Sequence, residues 1–165
     1  ALLSRGLGDV YKRQYIISHE WWRLITPTFL HFSITHLIFN CLWIYILGSK
    51  IEIIDGKNIF LTLFLITGIS SNLGQYFWSA NYLFGGLSGS VYGLLGYCFR
   101  LDLDARGQRY DLPNALYIFM FIWLLIGFTG ILKIFGFGNV ANIAHLVGMI
   151  AGFILGIIAR YGFKF

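Results

Sequence analysis

With 165 residues the chain has room for one compact domain. Hydrophobic residues make up 58% of it, charged residues only 12%, and the mean hydropathy is +0.73; a soluble domain carries about 25% charged residues, so an ordinary water-soluble globule is excluded. The net charge of +5 sits in short clusters beside apolar runs, which excludes nucleic acid as a partner and points to the lipid bilayer.

Ahead of the apolar runs, residues 20–31 (EWWRLITPTFLH) combine two tryptophans, an arginine and a proline. Aromatic rings with a cationic neighbour belong at the membrane–water boundary, so this stretch reads as a loop lying in the interfacial layer. Five hydrophobic segments follow, at about 33–54, 57–78, 88–103, 113–129 and 142–160. Each is expected to be a helix, because an unpaired backbone group in lipid costs several kcal/mol. The fold class is therefore all-α, a polytopic membrane helical bundle.

Turn residues punctuate the segments. Asp55-Gly56 follows the first, Ser79-Ala80-Asn81 and Gly85-Gly86 precede the third, and Gly136 and Gly138 precede the last. Pro113 opens the fourth, where a missing N–H does no harm. Residues 82–87 are apolar yet carry the glycine pair, so the third helix is expected to begin near Ser88, partway into the membrane. Non-helical backbone at that depth survives only when buried in protein or lining a wet cavity.

Positive charge marks the cytoplasmic side. Lys50 and Lys57 flank one connection, Arg100, Arg106 and Arg109 sit in another, and Arg160 with Lys164 close the chain. The C-terminus is expected in the cytoplasm, with Ser88 opening toward the opposite face. Cys41 and Cys98 both fall inside apolar segments and read as buried small hydrophobes rather than a disulfide.

Polar residues inside a membrane are expensive and mark function. Here they are His36, Asn40, Ser88, Asn142 and His145. His36 and Asn40, four apart, project from one helix face. The third segment carries Gly89, Gly93 and Gly96, and the last carries Ala144, Gly148, Gly152 and Gly156 at i, i+4 spacing. Such small-residue stripes let two membrane helices approach to backbone contact, and Ser88 and His145 stand at matching ends of the two. That is the arrangement a serine nucleophile and its base require.

The seven acidic residues all lie in loops or near helix ends, so a Ser–His dyad is the economical reading. Tyr92, one turn after Ser88, is placed to position the imidazole by stacking. His36, Asn40 and the Ser88 amide supply donors for a developing oxyanion; taken singly, His36 or Asn40 reads more readily as an interhelical hydrogen-bonding residue. The segment Gly86-Leu87-Ser88-Gly89-Ser90 fails the soluble-hydrolase elbow G-x-S-x-G at its last position. A zinc site from His31, His36 and His145 lacks cysteine or carboxylate company and any compact spacing, so no metal and no cofactor is expected. A transporter is disfavoured because no carboxylate lines the spans.

These residues resemble the motifs of a known family. HFSITHLIFN, with His36 and Asn40, resembles the second-helix motif of rhomboid intramembrane serine proteases, bacterial GlpG-type branch. FGGLSGSVYGLLGY resembles their G-x-S-G nucleophile motif, and ANIAHLVGMIAG their A-H-x-x-G motif. EWWR is similar to the W-R signature of their first loop, and Glu52 fits the acid ending their second helix. The likeness runs from residue 19 to the C-terminus.

The resemblance implies an endopeptidase of transmembrane protein substrates, in a bacterial inner membrane, using Ser88 as nucleophile and His145 as base through an acyl-enzyme. It implies an oxyanion hole from His36, Asn40 and the Ser88 amide, with Leu87 adding its own amide. Tyr92 would stack on His145, with Gly86, Gly89 and Gly148 in support. Phe39 and Trp123 would form a substrate gate, and residues 135–140 a cap. The alternative is a non-catalytic relative that binds transmembrane helices. The oligomeric state is open. The family core has six helices and this sequence shows five; residues 1–18 match nothing in the family and hold no span. A truncated or misassembled reading frame is the expectation there.

Overall fold

The computed structural model describes residues 20–78, 84–103, 109–131 and 140–162, Trp21 by its backbone alone. The turn at Ser79–Asn81, Gly136, Gly138, Arg106, Lys164, residues 1–18 and the loop 135–139 lie outside the described residues.

Helix α1 spans Ile34–Asp55. Ser33, expected as its first residue, is instead the N-cap: its hydroxyl accepts the His36 N–H at 3.1 Å, satisfying one of the donors that a helix start leaves open. Gly56 ends the helix at φ 96°, a conformation that glycine adopts without a Cβ penalty. Helix α2 spans Lys57–Trp78, α3 Ser88–Asp102, α4 Asn114–Thr129 and α5 Asn142–Gly162. Pro113 falls one place outside α4, as its N-cap. The described residues contain no strand.

Helices α1, α2 and α5 have 22, 22 and 21 residues, long and apolar enough to cross a bilayer. At ~1.5 Å per residue such a helix covers about 32 Å, against a hydrocarbon core of ~30 Å. Their outward faces carry large apolar side chains, among them Ile34, Ile38, Tyr45, Ile66, Ile154 and Ile158. In water this would be a fault; in lipid it is the solvent-facing surface. Cys41 is exposed on that surface, so it does not pack as a buried hydrophobe; Cys98 does, and both thiols are free.

Helix α3 is the exception. It has 15 residues, too few to cross alone, and Gly89 through Cys98 are all buried. It forms the axis of the bundle, with α5, α2 and α1 packed around it. The closest contact is with α5, where the glycine stripes meet. A Cβ on Gly148 would run into the Gly89 carbonyl oxygen, and one on Gly152 into that of Gly93. Backbone lies directly on backbone.

The interfacial stretch forms two 3-10 turns, Trp21–Leu24 and Thr26–Phe29. Asn72 on α2 ties it down, its side-chain amide donating to the Leu24 carbonyl at 2.8 Å and the Thr28 hydroxyl at 3.0 Å. At the other end of the bundle the Tyr110 hydroxyl donates to Asp55 at 2.5 Å, and the Tyr117 hydroxyl to Asp102 at 2.7 Å. Arg109 pairs with the same Asp55 carboxylate. Tyr110 is fully buried, and burial together with the Asp55 carboxylate raises its pKa well above the ordinary 10.0. These bonds clamp the base of α4 to the ends of α1 and α3.

Candidate active site

Residues 84–87 run as irregular backbone against the bundle and hand over to α3 at Ser88. Gly86 makes that path possible. Its φ is +128°, and a Cβ there would press on the His36 ring at 2.8 Å. The Gly86 N–H is satisfied by the Pro27 carbonyl at 3.0 Å, so the interfacial turns hold the strand of backbone that presents Ser88.

His145 lies in the first turn of α5, buried at 6% exposure. Its Nε2 stands 2.7 Å from Ser88 Oγ, the distance of a good O–H···N hydrogen bond. Because Gly89 and Gly148 admit the two backbones to contact, the α3–α5 interface itself sets this separation. The Tyr92 ring stacks on the imidazole, centroids 4.8 Å apart and planes 27° from parallel. Tyr92 is fixed in turn by its hydroxyl, which donates to the Met120 carbonyl on α4 at 3.0 Å. Among the described residues no hydrogen bond joins His145 to a carboxylate. Gln75 steadies the start of α5 by accepting the Ala144 N–H at 3.0 Å.

His36 and Asn40 stand one turn apart on α1, facing Gly86. Asn40 is 4% exposed. The Leu87 amide points into the same space. Sequence reasoning missed the group that joins them: His31 Nε2 lies 3.2 Å from the Asn40 side-chain nitrogen and 3.4 Å from the Leu87 N–H. The His31 and His36 rings meet edge to face at 5.0 Å. His31 precedes the first span, and the only signal for it was its place five residues before His36. Among the described residues no three His, Cys, Asp or Glu side chains cluster as a metal site, so His31, His36 and His145 do not converge on one point.

Between α1 and α4 the contact is aromatic. Phe39 stacks on Trp123 at 6.4 Å and Trp43 on Phe119 at 6.1 Å, with Phe119 and Trp123 at 5.8 Å on the same helix. At the far end of α4 the Asn142 side-chain amide donates to the Gly127 carbonyl at 2.6 Å.

By its build this is an integral, multi-pass helical membrane protein. The rhomboid domain family model matches residues 18–162, and the chain belongs to the rhomboid family. It is 38% identical over 135 residues to a rhomboid protease GlpG of Yersinia pestis (strain Pestoides F), covering 81% of this chain and 46% of that protein. It is 37% identical over 136 residues to a rhomboid protease GlpG of Serratia proteamaculans (strain 568), covering 82% and 47%. The chain thus spans about half the length of these curated relatives.

Proposed function

We propose that this chain is the core of an intramembrane serine endopeptidase that cuts transmembrane segments of other membrane proteins. The observation that carries the reading is the 2.7 Å contact between Ser88 Oγ and His145 Nε2, inside the bundle. A non-catalytic helix-binding relative has no need of it.

Ser88 Oγ attacks the scissile carbonyl carbon while His145 Nε2 takes its proton. The C–O bond forms as the carbonyl π pair moves onto oxygen. Asn40, His36 and the amides of Leu87 and Ser88 donate to that oxyanion; one such donor contributes roughly 3–4 kcal/mol. Collapse breaks the C–N bond, and His145 returns the proton to the leaving amine, giving an acyl-enzyme. Water then attacks the acyl carbon while losing its proton to His145; the ester C–O bond to Ser88 breaks, His145 returns the proton to Ser88 Oγ, and the acid product leaves. Tyr92 holds the imidazole plane, a task given to a carboxylate in triads.

The substrate enters from lipid between α1 and α4, past Phe39 and Trp123. The family resemblance and the cation placement support a bacterial inner membrane, a cytoplasmic C-terminus and a site open to the opposite side. Residues 19–165 form the rhomboid membrane core.

The test is labelling with a fluorophosphonate, which phosphonylates activated serines. Wild type is expected to label, Ser88→Ala not at all, and His145→Ala at a rate reduced on the order of 10⁶-fold. An unlabelled wild type overturns the protease reading in favour of helix binding. Cleavage is also expected to fall as pH drops, because a protonated imidazole cannot accept the serine proton. An acid limb that stays flat in the kcat/KM profile removes His145 as the base.

A further inference from the structure

Asn40 and Leu87, two of the donors assigned to the oxyanion, are engaged in this structure with His31. The chemistry of the ring determines how. His31 Nδ1 lies 3.2 Å from the Phe29 carbonyl oxygen, which only accepts. The ring proton of the neutral imidazole is therefore on Nδ1, and Nε2 presents a lone pair. That lone pair accepts from the Asn40 side-chain amide at 3.2 Å and from the Leu87 N–H at 3.4 Å. One acceptor atom takes both donors, as a substrate oxyanion would.

We infer that His31 is a positioning residue that occupies the oxyanion site of the resting enzyme and competes with the substrate's carbonyl oxygen for Asn40 and Leu87. The inference rests on the serine-protease reading above and extends it to a residue outside the motif helices. It has a physical motive: a buried donor left without an acceptor is costly, and these two point into one site inside the bundle. His31 satisfies them while no substrate is bound and keeps them aimed at one point. The 3.2 Å contact is at the upper end of the hydrogen-bond range and the 3.4 Å contact beyond it, so the ring is held loosely enough to be displaced. It lies two residues past the Thr26–Phe29 turn and three before α1, outside any helix.

The experiment is the kinetics of fluorophosphonate inactivation, with peptide-bond cleavage of a transmembrane substrate alongside, for wild type, His31→Ala and His31→Gln. A phosphonyl oxygen needs the same donors. Alanine removes the competing acceptor, so the second-order inactivation rate is expected to rise about three- to tenfold, the factor matching a hydrogen bond's net ~0.5–1.5 kcal/mol. KM for the substrate is expected to fall while kcat holds. Glutamine restores an acceptor near the Nε2 position and is expected to return both values toward wild type. A purely structural His31 would instead lower thermal stability and kcat, with no rescue of KM by glutamine; that result overturns the inference.

The wild-type protein supplies a check free of any folding defect. In a crystal structure of its phosphonylated form the His31 ring is expected outside hydrogen-bond reach of Asn40 and Leu87, with the phosphonyl oxygen in its place. A ring that has not moved overturns the inference alone. Wild type that takes no probe overturns the protease reading, and the inference with it.

Discussion

Two helix contacts flank the candidate site, and they are built from opposite materials. Between α3 and α5 there are no side chains at the closest points: Gly148 lies on the Gly89 carbonyl and Gly152 on that of Gly93. Between α1 and α4 there is little else, as Phe39, Trp43, Phe119 and Trp123 meet ring to ring. Backbone contact cannot be adjusted by a rotamer change, whereas stacked rings separate by turning about their χ angles. The first contact fixes the Ser88–His145 distance. The second is a seam that side-chain rotation could open, as the proposed gate requires. Helix α4 is nonetheless held at its two ends, by Tyr117 on Asp102 and by Asn142 on the Gly127 carbonyl.

The sharpest way to break this contrast is Gly152→Val. Its branched side chain has no space against the Gly93 carbonyl, so the folded protein is expected to be lost, read as absence of a cooperative thermal transition in detergent. Tyr117→Phe comes next. It removes a hydrogen bond to a carboxylate, worth about 1.5–3 kcal/mol, and should lower stability by that order while the Ser88 labelling rate stays near wild type. Gly148→Ala adds one methyl against the Gly89 carbonyl; overpacking of this kind costs about 1–3 kcal/mol. Here kcat is expected to fall more than KM rises, because the contact that sets the dyad moves. The mildest case is Trp123→Ala. Losing the ring pair costs about 0.5–1.5 kcal/mol beyond area, and cleavage of a transmembrane substrate should speed up severalfold. Slower cleavage by Trp123→Ala, measured at equal folded fraction, would mean the seam binds substrate instead of gating it.

The parts of the molecule legible in its sequence are those governed by periodicity. Small residues at every fourth position announced the α3–α5 contact, and the glycine pair before Ser88 announced a helix starting inside the membrane. The helix ends fell within one or two residues, as at Ser33 and Pro113, where a cap was read as a first helical residue. What escaped was set by contacts remote in sequence. The Asp55–Tyr110 bond joins residues 55 apart and His31–Leu87 joins residues 56 apart, and no local pattern encodes either. Asp55 and Asp102 were recognised as lying at helix ends, but their tyrosine partners come from beyond the intervening loop. Cys41 was misplaced because an apolar helix in lipid has no polar face to tell its outside from its inside.

The late start of α3 has an electrostatic consequence. Ser88 is the first residue of a helix whose next ten residues are buried. The aligned peptide dipoles of a helix place the equivalent of roughly half a positive charge at its N-terminus. In a low-dielectric interior that field is weakly screened, and it is directed at the oxygen of Ser88. A helix crossing the whole bilayer would have spent this charge in the aqueous headgroup layer. By beginning inside the bundle, α3 delivers it where an alkoxide would form.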